Sequence, residues 1–325
     1  MHELLSEYID GFQGRQTTIN GREGYQQGND IFFIIPKTAS DGLYYEQKSI
    51  CDFYIHNEIK NLAVPIYNKN GELITEYGGD RYVVLHSEVR QEQNYLPHAA
   101  ALATFHKLGS TFPFQPTEAS AYGQWKELWI SKLAMFDTIY RQQYTERPVS
   151  NFMGLFIDTY PYVSGCTENA IQYLQETESE QRFDQGDSGT FTFQRYHYDV
   201  QKEIIWPHDL VYDHAGRDIA EHIRQVLLED HPSVFDEVRA FMEAYTAIKP
   251  LSIFSWRIIY ARLLLPVHLF DYLETGISRD DHETTYKEFK SMLKKQHIYQ
   301  GNIKKLFEET GVDTNALQIP ELDWQ

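Results

Sequence analysis

Five consecutive apolar residues, Ile31-Phe32-Phe33-Ile34-Ile35, end at Pro36 and predict a short buried strand. Downstream, Leu43, Gln47, Ile50 and Tyr54 fall on one stripe at helical spacing, with Cys51 and Ile55 beside it, which predicts a helix over 43–58. Then come the run Val64-Pro65-Ile66-Tyr67, a turn over 68–71, a strand over 72–77, a Gly78-Gly79-Asp80 turn and a strand over 81–86. Glycine and asparagine turns between alternating runs are hairpin chemistry, so this region reads as strand, helix and strand meander. The segment 15–18, with Gly14 before it and Gly21 and Gly24 after, reads as the start of a β-turn, either over a ligand or as an ordinary hairpin turn.

After the polar stretch 87–94 the periodicity becomes helical. An alanine-rich helix is expected over 96–108, closed by Gly109 as a C-cap. Trp125, Leu128, Trp129, Leu133, Phe136, Ile139 and Tyr140 recur at three and four within 121–144, and 167–177 reads as a further helical piece. A β interlude follows, over 190–198 and again over 203–206. The helical pattern resumes over 218–229, where Ile219, Ile223, Val226 and Leu227 share a face. Two or three helices fill 232–271 and a last one covers 284–309. No internal repeat or low-complexity tract is visible. The expected fold class is α+β, divided into a β-rich lobe over 1–90 and a mainly helical lobe over 91–325.

Charge narrows the partners. Acids outnumber bases 47 to 29, a formal charge of -18, and a field of that sign repels nucleic-acid phosphates and anionic lipid. The longest apolar run has five residues, and the greasy stretch 253–270 carries Arg257 and Arg262, so no membrane span is expected. The opening MHELLSEYIDG has neither a basic nor an apolar signal region, which predicts a cytoplasmic product. Cys51 and Cys166 make no CxxC pair. They read as idle thiols in a reducing compartment, with a single bridge as the alternative.

The densest polar cluster is His-Asp-Leu-Val-Tyr-Asp-His at 208–214, followed by Gly216-Arg217-Asp218. Imidazole and carboxylate suit several divalent ions, yet no HExxH spacing is present. The competing reading is a polar loop whose last acid, Asp218, caps the next helix. GxxxxGK[ST], Rossmann and GxSxG motifs are absent from the sequence. Lys287, Lys290, Lys294, Lys295, Lys304 and Lys305 read as the solvated face of the last helices, with Met292, Leu293, Ile303, Leu306 and Phe307 turned inward.

The layout, with Tyr-Asp-His-x-x-Arg-Asp-Ile-Ala entering a helix at 212–220, resembles the bilobal aminoglycoside-phosphotransferase-type kinase-like fold. Within it the chain is most similar to the spore coat kinase-like proteins of the CotS group, in particular the YutH branch. The matching pieces are Tyr45-Glu46-Gln47, the run Leu102 to Leu108, Tyr212-Asp213-His214 with Arg217 to Ala220, and Pro250-Leu251-Ser252. The resemblance implies a strand Lys holding nucleotide phosphates, a helix Glu paired to it, a catalytic loop of the form H-G-D-x-x-x-x-N and an acidic metal loop. Here 31–35 holds no Lys, and Lys37 lies beyond Pro36. Glu46 fits the helix Glu without its partner. The stretch Phe193 to Asp199 has no acid in the base's place unless Asp199 slips in. Trp206-Pro207-His208-Asp209 offers Asp209 alone.

The expectation is therefore a catalytically degenerate kinase of the endospore coat. It would be made in the mother-cell cytoplasm, laid onto the coat, and would act on other coat proteins through contact. Glu46, His197, Asp199, Asp209 and Asp213 are then vestigial, Asp218 is a structural helix cap, and no cofactor or metal is expected. The alternative is a divergent small-molecule phosphotransferase using ATP and Mg, with His197, Asp199, His208, Asp209 and Asp213 as its metal and base site. A third class is a metal-dependent hydrolase built on 208–214.

Overall fold

A computed structural model describes residues 2–88, 96–146, 150–279 and 281–320. The chain divides into two compact units, Met1–Ala121 with Gly189–Asp213, and Tyr122–Ser188 with His214–Gln325. The first unit therefore takes in more than the β-rich residues 1–90. It also holds a helix and a two-stranded ribbon that follow them in sequence.

An antiparallel sheet dominates the first unit. Its strands are β1 (Arg15–Ile19), β2 (Arg22–Gln27), β3 (Asp30–Pro36), β4 (Val64–Pro65), β5 (Ile74–Tyr77) and β6 (Asp80–Glu88), in the order β1-β2-β3-β6-β4 with β5 also on β6. The segment 15–18, read as the start of a turn, is instead strand β1, which pairs with β2 in a hairpin whose turn lies at Asn20-Gly21. Asn20 and Gly21 carry φ of 51° and 76°, and two consecutive left-handed residues make the turn that suits strand twist. β3 is apolar over 31–35 because both its faces are covered there. Ile31 and Phe33 join Val83, Leu85, Tyr44 and Trp206 on one side, while Phe32 joins Leu4, Leu5, Phe12 and Val84 on the other. The helix α1 (Asp41–His56) begins where Ser40 Oγ accepts from Leu43 N at 3.2 Å, and it buries Gln47, Ile50, Cys51 and Tyr54.

The remaining elements of this unit are α2 (His98–Gly109), β7 (Thr190–Phe193) and β8 (Leu210–Asp213), the last two paired antiparallel. Tyr54 of α1 stacks on Phe105 of α2 with ring centroids 4.3 Å apart. Gly109 is not the left-handed cap expected of it. It is the last residue of α2, and a Cβ there would lie 2.4 Å from Thr190 Oγ1 and from Tyr54 Oη, so close approach excludes a side chain. The strand expected over 203–206 is reduced to one bridge, Leu62 to Ile205.

The second unit is helical: α3 (Trp125–Glu146), α4 (Asn151–Ser179), α5 (Gly216–Leu227), α6 (Val234–Thr246), α7 (Ile253–Leu264), α8 (Val267–Ser278) and α9 (His282–Thr310). The piece read at 167–177 is the end of α4, whose earlier turns bury Phe152, Phe156, Tyr160 and Val163 around an internal Pro161. Ile253–Ser278 has mean hydropathy 1.3 and is 83% buried in the protein, the burial of a core helix pair, and it indicates no membrane span. Cys51 and Cys166 are both free, buried thiols. The polar stretch 87–94 lies mostly outside the described residues.

Candidate functional site

In the first unit the face of β3 that looks onto α1 carries Ile31, Phe33 and Ile35, with Trp206 set edge-on against Phe33 at 4.7 Å. No cation projects from that strand. Glu46 of α1 has instead been taken up by the loop after α2. Its carboxylate accepts from Thr117 N at 2.8 Å, Thr117 Oγ1 at 2.9 Å, Glu118 N at 3.1 Å and Ala119 N at 2.8 Å. Partial burial alone pushes the Glu46 carboxyl up, but these donors outweigh it and hold the group below its ordinary value. No Lys lies within ion-pair reach of Glu46 among the described residues. Lys37 is engaged elsewhere, with Asp41 at 2.8 Å and Ala39 O at 2.7 Å.

The other sequence-derived candidates do not converge. Asp199 is buried in a tight turn behind the left-handed Tyr198, where it accepts from His197 N at 2.5 Å and pairs with Lys202. His197 itself is exposed. Asp209 closes a turn begun by Pro207, and its backbone oxygen accepts from Gln194 N at 2.8 Å. Asp213, 1% exposed, ends β8 opposite Thr190. Among the described residues no three His, Cys, Asp or Glu groups come together to hold a metal ion. The relocated site His197, Asp199, His208, Asp209 and Asp213 is therefore not assembled, and neither is a metal centre on 208–214. Mg²⁺ prefers octahedral oxygen ligation, and a lone Asp209 beside Pro207 and His208 does not fit a magnesium–nucleotide complex.

What the unit does build is a cavity of about 450 Å³ bordered by Arg22, Gln47, Gln194 and His208 on apolar walls that include Ile35 and Leu85. Arg22 opens β2, directly after the Asn20-Gly21 turn. Its guanidinium lies over the Trp206 ring at 4.5 Å and donates to His208 Nε2 at 2.5 Å. A guanidinium only donates, so His208 is neutral with its proton on Nδ1. Burial, the largest influence, and the nearby Arg22 charge lower the His208 pKa against the opposing pull of Asp209. Two features of the sequence mark this site: Asn-Gly ahead of Arg22, and a glutamine, Gln47, in an otherwise apolar helix stripe.

In the second unit Asp187 is the centre of a buried polar cluster. It accepts from Ser252 Oγ at 2.7 Å, Ser255 Oγ at 2.5 Å, Asp184 N at 2.8 Å and His214 Nε2 at 3.2 Å. His214 Nδ1 accepts from Gly216 N at 2.9 Å, which fixes the tautomer that donates to Asp187. Burial raises the Asp187 carboxyl, and the donors, His214 first, overcome it and bring it down to about 2. Ser252 also caps α7 through Ser255 N at 2.8 Å, so the cluster anchors the starts of α5 and α7. Asp218 is not the N-cap of α5. Ala215 holds that position, and Asp218 sits fully buried in the first turn, where an acid favours the positive helix end.

The order of elements is that of a kinase-like fold of the aminoglycoside-phosphotransferase type. Solved structures agree in fold. An aminoglycoside phosphotransferase from Alicyclobacillus acidocaldarius aligns with a TM-score of 0.66 at 11% identity, covering 94% of this chain and 95% of that one. The AMP-bound spectinomycin phosphotransferase APH(9)-Ia aligns at 0.60 and 14%, covering 92% and 96%, and a microcompartment-associated aminopropanol kinase at 0.58 and 10%, covering 96% and 98%. Residues 5–306 match the family described as "Spore coat putative kinase YutH", and the chain belongs to that family. It is 29% identical over 310 residues to the endospore coat-associated protein YutH of Bacillus subtilis (strain 168), covering 92% of this chain and 90% of that protein.

Proposed function

We propose that the chain is a catalytically degenerate kinase-like component of the endospore coat, made in the mother-cell cytoplasm and working through contacts with other coat proteins rather than through phosphoryl transfer. The observation that carries this reading is the fate of Glu46. The carboxylate that a working kinase pairs with a strand lysine accepts four hydrogen bonds from Thr117, Glu118 and Ala119, and no Lys lies within ion-pair reach of it among the described residues. Phosphoryl transfer depends on positioning and charge neutralisation, and loss of one such electrostatic group commonly costs about 10²-fold or more. Family membership and the coat-associated relative support the cellular setting.

A thermal-shift titration tests it. A ligand at 100 times its Kd adds about 2.7 kcal/mol to stability, a shift of several degrees. Millimolar ATP should give no Mg²⁺-dependent shift. A shift that requires Mg²⁺ returns the chain to the divergent phosphotransferases, and one produced by Zn²⁺ or Mn²⁺ alone supports a metallohydrolase. A fluorescent fusion made during sporulation should outline the forespore, and a signal spread through the mother cell would overturn the coat assignment.

A further inference from the structure

We propose that the cavity beside β3 binds a small organic monocarboxylate with an apolar, amide-bearing body, anchored by Arg22 and Gln47. This rests on the degenerate-kinase reading, because it gives the space to a ligand other than a nucleotide. Two groups point to it independently. Arg22 is half-buried and permanently charged, yet among the described residues it has no carboxylate partner. Its contacts are a neutral imidazole and the face of Trp206. In a chain with 47 acids, a guanidinium left without one is set for an external anion. The Trp206 stack and the His208 bond also fix its plane, leaving donors free in the fork geometry that a carboxylate accepts in bidentate fashion.

Gln47 is the second. It is 5% exposed, borders the same cavity, and its carboxamide makes no hydrogen bond in the described structure. Buried polar groups are almost always satisfied, and one that opens onto a cavity is completed by whatever enters. A carboxamide offers both a donor and an acceptor, which matches an amide of the ligand. The walls formed by Ile35, Leu43, Val83 and Leu85 supply the apolar part, and about 450 Å³ suits a ligand of modest size. A triphosphate fits poorly, since among the described residues one guanidinium is the only permanent cation bordering the cavity and Glu118 on its rim repels further negative charge. The chemistry described is that of an N-acylated apolar amino acid, either free or as the end of a polypeptide.

Isothermal titration of the full chain with N-acetyl-L-leucine, with its uncharged C-terminal amide, with a hexapeptide ending in leucine and with Mg·ATP tests the assignment. The acid should bind at least 10-fold tighter than the amide. Arg22→Gln and Gln47→Leu should each weaken it 10-fold or more. Should Arg22→Gln not fold, Arg22→Lys keeps the charge, loses the fork and should still weaken binding. A hexapeptide binding more tightly than the acetyl compound assigns the ligand to a chain terminus, and the reverse to a free molecule. Equal affinity for acid and amide, or no binding by either carboxylate probe, overturns the proposal alone. Mg·ATP displacing the acid in an EDTA-sensitive way overturns it together with the degenerate-kinase reading.

Discussion

Asp187 in the second unit and Arg22 in the first are both charges drawn away from bulk water, and they are treated differently. Asp187 is ringed by two serines and a histidine at the starts of α7 and α5, and by the backbone N–H of Asp184. Arg22 has one neutral hydrogen-bond partner, an aromatic face and open space. A closed set of partners holds a fold together, whereas an incomplete set beside a cavity is a receptor. Glu46 belongs to the first kind, since backbone donors complete it.

The comparison breaks most readily at Asp187. Asp187→Ala leaves the buried His214 and the buried Ser255 hydroxyl without their acceptor, at a cost of about 2–4 kcal/mol, or roughly 3–6 °C in a thermal melt. A loss under 1 kcal/mol would mean that the cluster does not anchor α5 and α7.

Acid titration sharpens the same contrast. His268 is buried against Gln296, and burial followed by the Arg224 charge lowers its pKa to about 3. The unfolded chain binds that proton near pH 6.5, so between about 6.5 and 3 the unfolded state holds more protons and stability falls as the pH is lowered. Asp187 has the depressed carboxyl of an acid with good donors. Its contribution is complete above about pH 4 and is lost as the pH falls through about 2. Urea melts from pH 7 to 4 should lose up to about 3 kcal/mol, and His268→Gln should flatten that slope while leaving the loss below pH 4 in place.

Glu46→Ala should cost about 1–3 kcal/mol, because three backbone N–H groups of 117–119 lose a charged acceptor. An unchanged melting point would show that the loop does not depend on it. The smallest effect is at the hairpin tip: Gly21, at φ of 76°, should lose about 1 kcal/mol on Gly21→Ala, read by urea denaturation.

Legibility in the sequence followed burial pattern. β3 and α1 were readable because their apolar spacing matches their buried faces, and the Tyr-Asp-His-x-x-Arg-Asp-Ile-Ala run led to the kinase-like fold. The pairing of β1 with β2 was signalled only by its turn, since Arg-Gln-Thr-Thr-Ile and Arg-Glu-Gly-Tyr-Gln-Gln lack an apolar alternation. Asp187 was silent, being a lone acid in a polar loop with serine partners 65 and 68 residues away. Asp218 was misplaced by a few residues because an acid at a helix start scores alike as cap and as first-turn residue. His208 to His214 looked like one cluster in sequence, yet His208 belongs with Arg22 and His214 with Asp187.

The central claim, that the kinase machinery has been dismantled, is tested most directly by single-turnover phosphate release. Protein in excess over radiolabelled ATP, with Mg²⁺, should release no phosphate above a protein-free control, and Asp209→Ala should behave as wild type. Release above that control, abolished by Asp209→Ala and slowed by Lys37→Ala, would contradict the account and establish an active, divergent kinase.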